Sequence, residues 1–129
     1  MSLISVVDDD QSIRESLRGL LESVGFAVET FSSARDFLDS ECLTRTDCLI
    51  LDVRMPGMGG LELHRHLAVS GPAIPVVFIT AHGSEHSGRG RALSEGAVEY
   101  LIKPFSEEAL LQAVNAALSL TMRDERGRP

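Results

Sequence analysis

Apolar residues fall along the chain in two alternating rhythms. Short, almost wholly apolar runs occur at Leu3–Val7, Cys48–Leu51 and Val76–Ile79. Mixed runs at Phe26–Phe31 and Val98–Ile102 have strand-like length but carry charge. Between them, apolar positions recur every three or four residues, the spacing of one helix face. Ile13, Leu17, Leu20, Leu21 and Val24 form the first such stripe, stopped by Gly25 as glycine does just past a helix end. Ser32 or Ser33 can cap a second helix with Ala34, Phe37 and Leu38 inward. Gly60 to Val69 reads as a third, broken by Gly71-Pro72. Ser106 caps the last helix, where Glu107 and Glu108 suit the positive dipole end and Leu110, Ala113, Val114, Ala117 and Leu118 face inward.

Five strands alternating with helices predict an α/β fold, a doubly wound parallel sheet with helices on both faces. Buried central strands should be almost wholly apolar, so Glu29 and Glu99 assign the second and fifth strands to the edges. The order 2-1-3-4-5 satisfies this. The weakest element is the fourth helix, within residues 82–97. Gly88 and Gly90 each cost ~1 kcal/mol against alanine in a helix interior. A short, late-starting or mobile helix is expected there.

Length and charge narrow the function. The 129 residues fit one domain, and its 12 basic against 19 acidic residues leave a formal charge of −7. Such a surface repels nucleic-acid phosphates, so DNA is not expected to bind this chain directly. No apolar run approaches the ~18–20 residues of a membrane helix. No basic segment precedes an apolar one at the start, so no signal peptide is expected and the chain reads as cytoplasmic. Cys42 and Cys48 read as structural thiols.

The chemistry gathers at strand ends. In open α/β sheets ligands bind beyond the carboxyl ends of the strands, where the order reverses. Strand one ends in Asp8-Asp9-Asp10, strand three in Asp52, strand four in Thr80-Ala81 and strand five in Lys103-Pro104. Crowded carboxylates must protonate or recruit a cation. Hard oxygen ligands at an exposed site suit Mg²⁺. A metal and a lysine together neutralise phosphoryl oxygens, Thr80 can donate a hydrogen bond, and Asp52 is the central nucleophile. Each residue alone has a duller reading: Asp as turn or cap residue, Thr80 as an ordinary strand residue, Lys103 as a solvated loop lysine. Their coincidence at four strand ends favours chemistry.

The motifs "VVDDD" (Val6–Asp10), "LDVRMPGMGGLEL" (Leu51–Leu63), "ITA" (Ile79–Ala81) and "YLIKPF" (Tyr100–Phe105) resemble the receiver domain of two-component response regulators over essentially the whole length. "VRMPGM", with "FSSARDFL" after strand two, resembles receivers that carry a LuxR-type helix-turn-helix output. The resemblance implies a flavodoxin-like three-layer receiver over residues 1–122. Residues 123–129 would be a charged tail or the start of a linker to an output domain outside this chain. It implies that Asp52 takes a phosphoryl group from a sensor histidine kinase or a phosphotransfer protein. Asp9, Asp52 and the Arg54 carbonyl would bind Mg²⁺ directly, with Asp8 acting mainly through water. Thr80, the Ala81 amide and Lys103 would hold the phosphoryl oxygens. Thr80 and Tyr100 would form the switch, with the ring turning inward when Thr80 moves to the phosphoryl. The Lys103-Pro104 bond would be cis. Phosphorylation would drive homodimerisation, DNA would be reached only through the output domain, and no membrane is involved. Such a chain assists its own phosphorylation and dephosphorylation and is not a multiple-turnover enzyme. Thr80 to Lys103 is about one residue longer than the family's common pattern, the extra length falling in the glycine-rich segment.

Three rivals are weaker. "HGSEH" (His82–His86) matches an H-x-x-E-H zinc-peptidase pattern, but Gly83 and the lack of an evident third ligand count against it. An aspartyl phosphatase would place an acid two residues after its nucleophile, where this chain has Arg54. A docking module that is never phosphorylated would not need the full acid–lysine set. His64 and His66 read as surface residues of helix three.

Overall fold

The computed structural model describes residues 2–81 and 86–126, without the side chains of 86–88 and 122–126. Strands β1 (Leu3–Val7), β2 (Ala27–Phe31), β3 (Cys48–Asp52), β4 (Val76–Thr80) and β5 (Glu99–Ile102) alternate with α1 (Gln11–Ser23), α2 (Ala34–Leu38), α3 (Gly60–Ser70), α4 (His86–Ser94) and α5 (Glu107–Arg126). A 3₁₀ turn at Glu41–Thr44 precedes β3. The sheet is wholly parallel, in the order β2-β1-β3-β4-β5. The expected order and edges are thus observed.

Two apolar layers sandwich the sheet. On one face, Leu17 and Leu21 of α1 and Leu110, Val114 and Ala117 of α5 pack on Ile4, Val6, Ile50 and Val77. On the other, Phe37, Leu63 and Leu67 pack on Val7, Leu49, Leu51 and Phe78. Every residue of β1, β3 and β4 is buried. Ser5, the polar residue of β1, meets Thr46 hydroxyl to hydroxyl at 2.6 Å, which satisfies a hydroxyl that would otherwise be costly inside.

Capping chemistry sets the helix boundaries. The Asp10 carboxylate accepts from the N–H groups of Ser12 (2.8 Å) and Ile13 (3.4 Å) at the start of α1. Ser33 rather than Ser32 caps α2, and the Ser106 hydroxyl accepts from Ala109 N–H at 3.0 Å. Gly25, at φ +100°, makes the left-handed turn after α1.

Two side chains depart from expectation. Val24 is 48% exposed, because α1 ends at Ser23 and Val24 sits past the helical spiral. His64 is buried, not a surface residue: with Gly60, Leu63 and Leu67 it completes the inner arc of α3. Its ring stands edge-on to Phe78, centroids 5.4 Å apart at 76°. Burial lowers its pKa, so the ring is biased towards the neutral form. His66 is exposed, as expected.

Helix α4 is described over His86–Ser94, short as expected. The zinc-pattern residues His82 and Glu85, and the His86 side chain, lie outside the described residues. Both cysteines are free thiols, and burial followed by the Asp47 charge pushes Cys48 up to about 12. Among the described residues no helix is long and apolar enough to cross a membrane.

Candidate functional site at the strand ends

Asp8 directly follows β1. It is fully buried, and its polar atoms are committed in three directions. Oδ1 accepts from Asp10 N–H at 2.9 Å, Oδ2 from Lys103 Nζ at 3.0 Å, and the backbone carbonyl from Arg14 Nη1 at 2.8 Å. The next residue, Asp9, is exposed. Asp10 turns away to cap α1, so the three consecutive acids divide into a buried anchor, an exposed carboxylate and a cap.

Asp52 ends β3, held by pairing with β4 through Ile79. It is only 6% exposed, so the expectation of an exposed site holds for Asp9 but not for Asp8 or Asp52. Helix α3 starts directly beside its backbone. A Cβ on Gly60 would overlap the Asp52 carbonyl oxygen, so only glycine permits this approach. Arg54 N–H donates to Asp52 Oδ1 across 3.4 Å, a long bond that leaves the carboxylate oxygen open to a stronger partner. The Arg54 side chain is exposed.

One carboxylate oxygen each from Asp8, Asp9 and Asp52 lies within 4.8 Å of the others. Burial first, and the Asp8 charge second, push Asp52 up to about 7 from an ordinary 3.8; Asp9 adds to this, while Lys103 and the Arg54 N–H oppose it. Lys103 pairs with the Asp8 carboxylate at 3.0 Å, and its side chain is 16% exposed. Its backbone is fixed by a 2.7 Å bond from Lys103 N–H to Thr80 O, and the Lys103-Pro104 bond is cis as expected.

Thr80 ends β4 fully buried, and its Oγ1 has no hydrogen-bond partner among the described residues. An unpartnered buried hydroxyl costs about 1–3 kcal/mol, which a ligand oxygen would relieve. Ala81 follows, exposed. Tyr100, at 1% exposure, lies inward with its ring 6.2 Å from Phe78. The structure therefore brings Asp8, Asp9, Asp52 and Lys103 together and sets Thr80 at the end of the adjoining strand, with Ala81 just past it. Sequence reasoning missed Arg14 and the close approach at Gly60. Arg14 stands one helical turn after Asp10, a spacing that could have suggested a side chain folding back on the acidic loop.

The profile of the family described as "Response regulator receiver domain" matches residues 4–115. The response regulator protein TodT of Pseudomonas putida is 44% identical over 99% of this chain and 56% of its own length. The transcriptional regulatory protein TdiR of Thauera aromatica is also 44% identical, over 92% of this chain and 52% of its own. The chain thus spans about half the length of these curated relatives. Among solved structures, the response regulator StyR superposes with a TM-score of 0.87 at 47% identity, covering 98% of this chain and 64% of that one. FixJ-N does so at 0.82 and 34%, covering 92% and 94%. The chain belongs to the response regulator receiver domain family.

Proposed function

We propose that Asp52 is the phosphoacceptor of a two-component signalling pathway. A carboxylate oxygen of Asp52 attacks the phosphorus of a phosphohistidine on a sensor kinase or phosphotransfer protein. The P–N bond breaks, its electron pair stays on the imidazole nitrogen, and that nitrogen takes up a proton. Phosphoryl transfer of this kind depends on positioning and charge neutralisation more than on acid–base groups, which suits a nucleophile mounted on a buried central strand.

The acidic trio fits a Mg²⁺ ion, as receiver domains generally bind one at an acidic pocket. Three carboxylate oxygens within 4.8 Å, one of them ionising only near about 7, form a site that a divalent cation would relieve of repulsion. Asp9, Asp52 and the Arg54 carbonyl would hold it, with Asp8 behind them, and it would supply charge neutralisation for the phosphoryl oxygens. Lys103 moves its ammonium from Asp8 towards those oxygens. Thr80 Oγ1 donates its unpartnered hydrogen to one of them, and the Ala81 amide to another. Water later attacks phosphorus and releases phosphate, so the chain is phosphorylated once per signal and does not turn over a separate substrate.

The wider assignment is a receiver of residues 1–122 followed by a charged segment, 123–129, that starts a linker. The output would be a LuxR-type helix-turn-helix that contacts DNA, with dimerisation on phosphorylation. Support comes from the transcriptional regulatory proteins TdiR and FixJ among the relatives, of whose length this chain spans about half. The single observation that carries the reading is the convergence of Asp8, Asp9 and Asp52, with Lys103 bound at 3.0 Å. Incubation with acetyl phosphate and Mg²⁺ followed by intact mass tests it. One added phosphoryl mass is expected in the wild type, and none would contradict it.

A further inference from the structure

Helix α4 has little apolar grip on the sheet. Ala92 is its one buried side chain among the described residues, with Leu93 partly buried. Beneath it, Tyr100 is packed in the same apolar cluster as Ala92 and Ala97. The inward ring therefore depends on α4 staying down.

Polar contacts hold it there. Strand β5 is the sheet edge, and the backbone of Tyr100 is gripped on both of its polar groups. Its N–H donates to Glu99 Oε1 at 2.9 Å, and its carbonyl accepts from Arg89 Nη1 at 2.7 Å. The grip is closed by Arg89 Nη2 and Glu99 Oε1, 3.0 Å apart. A guanidinium can bridge a carbonyl and a carboxylate at once in this way, whereas a lysine ammonium is a point charge. Farther along, Arg65 of α3 pairs in two-pronged fashion with Glu95, just past α4, at 2.8 and 3.0 Å.

We propose that Arg89 and Glu99 form a latch that pins α4 over Tyr100 and holds the ring inward before any phosphoryl group arrives. They act as positioning residues: neither touches the acids, but together they set the starting pose of the switch aromatic and occupy the backbone groups of the edge strand at that point. The inward pose is the one expected of the phosphorylated state, so the latch biases the chain towards it. Only that last link rests on the phosphoacceptor reading; the latch itself does not.

The chain has one tyrosine and no tryptophan, so intrinsic emission reports on Tyr100 alone. Acrylamide quenching and amide exchange are measured on the whole chain, with no phosphoryl donor, in the wild type, Arg89→Ala, Arg89→Lys and Glu99→Ala. Arg89→Ala and Glu99→Ala should raise quenching roughly twofold or more and speed exchange of the Tyr100 amide roughly fivefold, with β1 and β3 amides still protected. Arg89→Lys should fall between them and the wild type. Unchanged quenching and exchange in Arg89→Ala would overturn the latch. So would equal acceleration in β1 and β3, which would mean general destabilisation, or a lysine variant as open as the alanine one. Phosphoryl labelling of Asp52 in separate samples leaves these outcomes readable if the phosphoacceptor reading fails.

Discussion

The two ends of the sheet are held by different forces. Around β1 and β3 all ten strand residues are buried, and α1 and α5 clamp them with leucine, valine and alanine. At β5 only Tyr100 of four residues is buried, and α4 is fastened by arginine–glutamate pairs. Apolar packing is not weakened by ionic screening and fixes position closely; exposed ion pairs are weak and screened. Asp52, the proposed nucleophile, is mounted on the first kind of structure, and Tyr100, the proposed switch aromatic, on the second. On that proposal, chemistry that needs precision sits where packing dominates, and the element that changes sits where a small energy can move it.

The largest expected effect breaks the two regions apart by function. Asp52→Asn should abolish phosphoryl labelling while Tyr100 quenching stays as in the wild type, measured by intact mass and tyrosine emission on the same samples. Labelling that persists would remove Asp52 from the mechanism.

Next come changes to packing. Ile50→Ala, in a fully buried position on β3, should cost about 2–5 kcal/mol in urea unfolding. Leu93→Ala, half-buried on α4, should cost under about 1 kcal/mol. Equal losses would mean that α4 is packed as firmly as the site. Gly60→Ala should cost about 1–3 kcal/mol, because the added methyl collides with the Asp52 backbone rather than with a side chain that can yield. The same variant should also weaken Mg²⁺ binding in calorimetry.

A smaller effect lies in pH. Asp52 ionises near about 7 in the fold against 3.8 ordinarily, so over that interval the folded chain holds a proton the unfolded chain has lost. Metal-free stability should therefore fall as pH rises from about 4 to about 7 through this group, and Asp52→Asn should remove that fall. Thermal unfolding in EDTA should show the variant's advantage widening between about pH 4 and about pH 7 and levelling off above that. A constant gap would contradict the assigned burial and charge crowding. Smallest of all, Arg65→Ala should shift the urea midpoint only at low salt.

Much of this was legible before any coordinates. The apolar runs announced the strands, the charges Glu29 and Glu99 announced the edges, and Asp8, Asp9, Asp52 and Lys103 could be placed together from topology alone. What escaped depended on tertiary contact. His64 looked polar and therefore external, but its ring takes a core position on the inner arc of α3. Asp52 looked exposed because it ends a strand, yet it is buried, with Gly60 bringing α3 against its backbone. Tyr100 is already inward, and the Arg89–Glu99 grip on it joins residues of two elements whose separate sequences give no sign of the pairing.

The central claim is that one particular oxygen, on Asp52, receives the phosphoryl group. Borohydride reduces an acyl phosphate and marks the carboxylate that carried it. After reaction with acetyl phosphate and Mg²⁺, tritiated borohydride followed by trypsin should label the peptide spanning residues 46–54, at Asp52. Label on Asp8 or Asp9, or Mg²⁺-independent label at Asp52, would contradict the account.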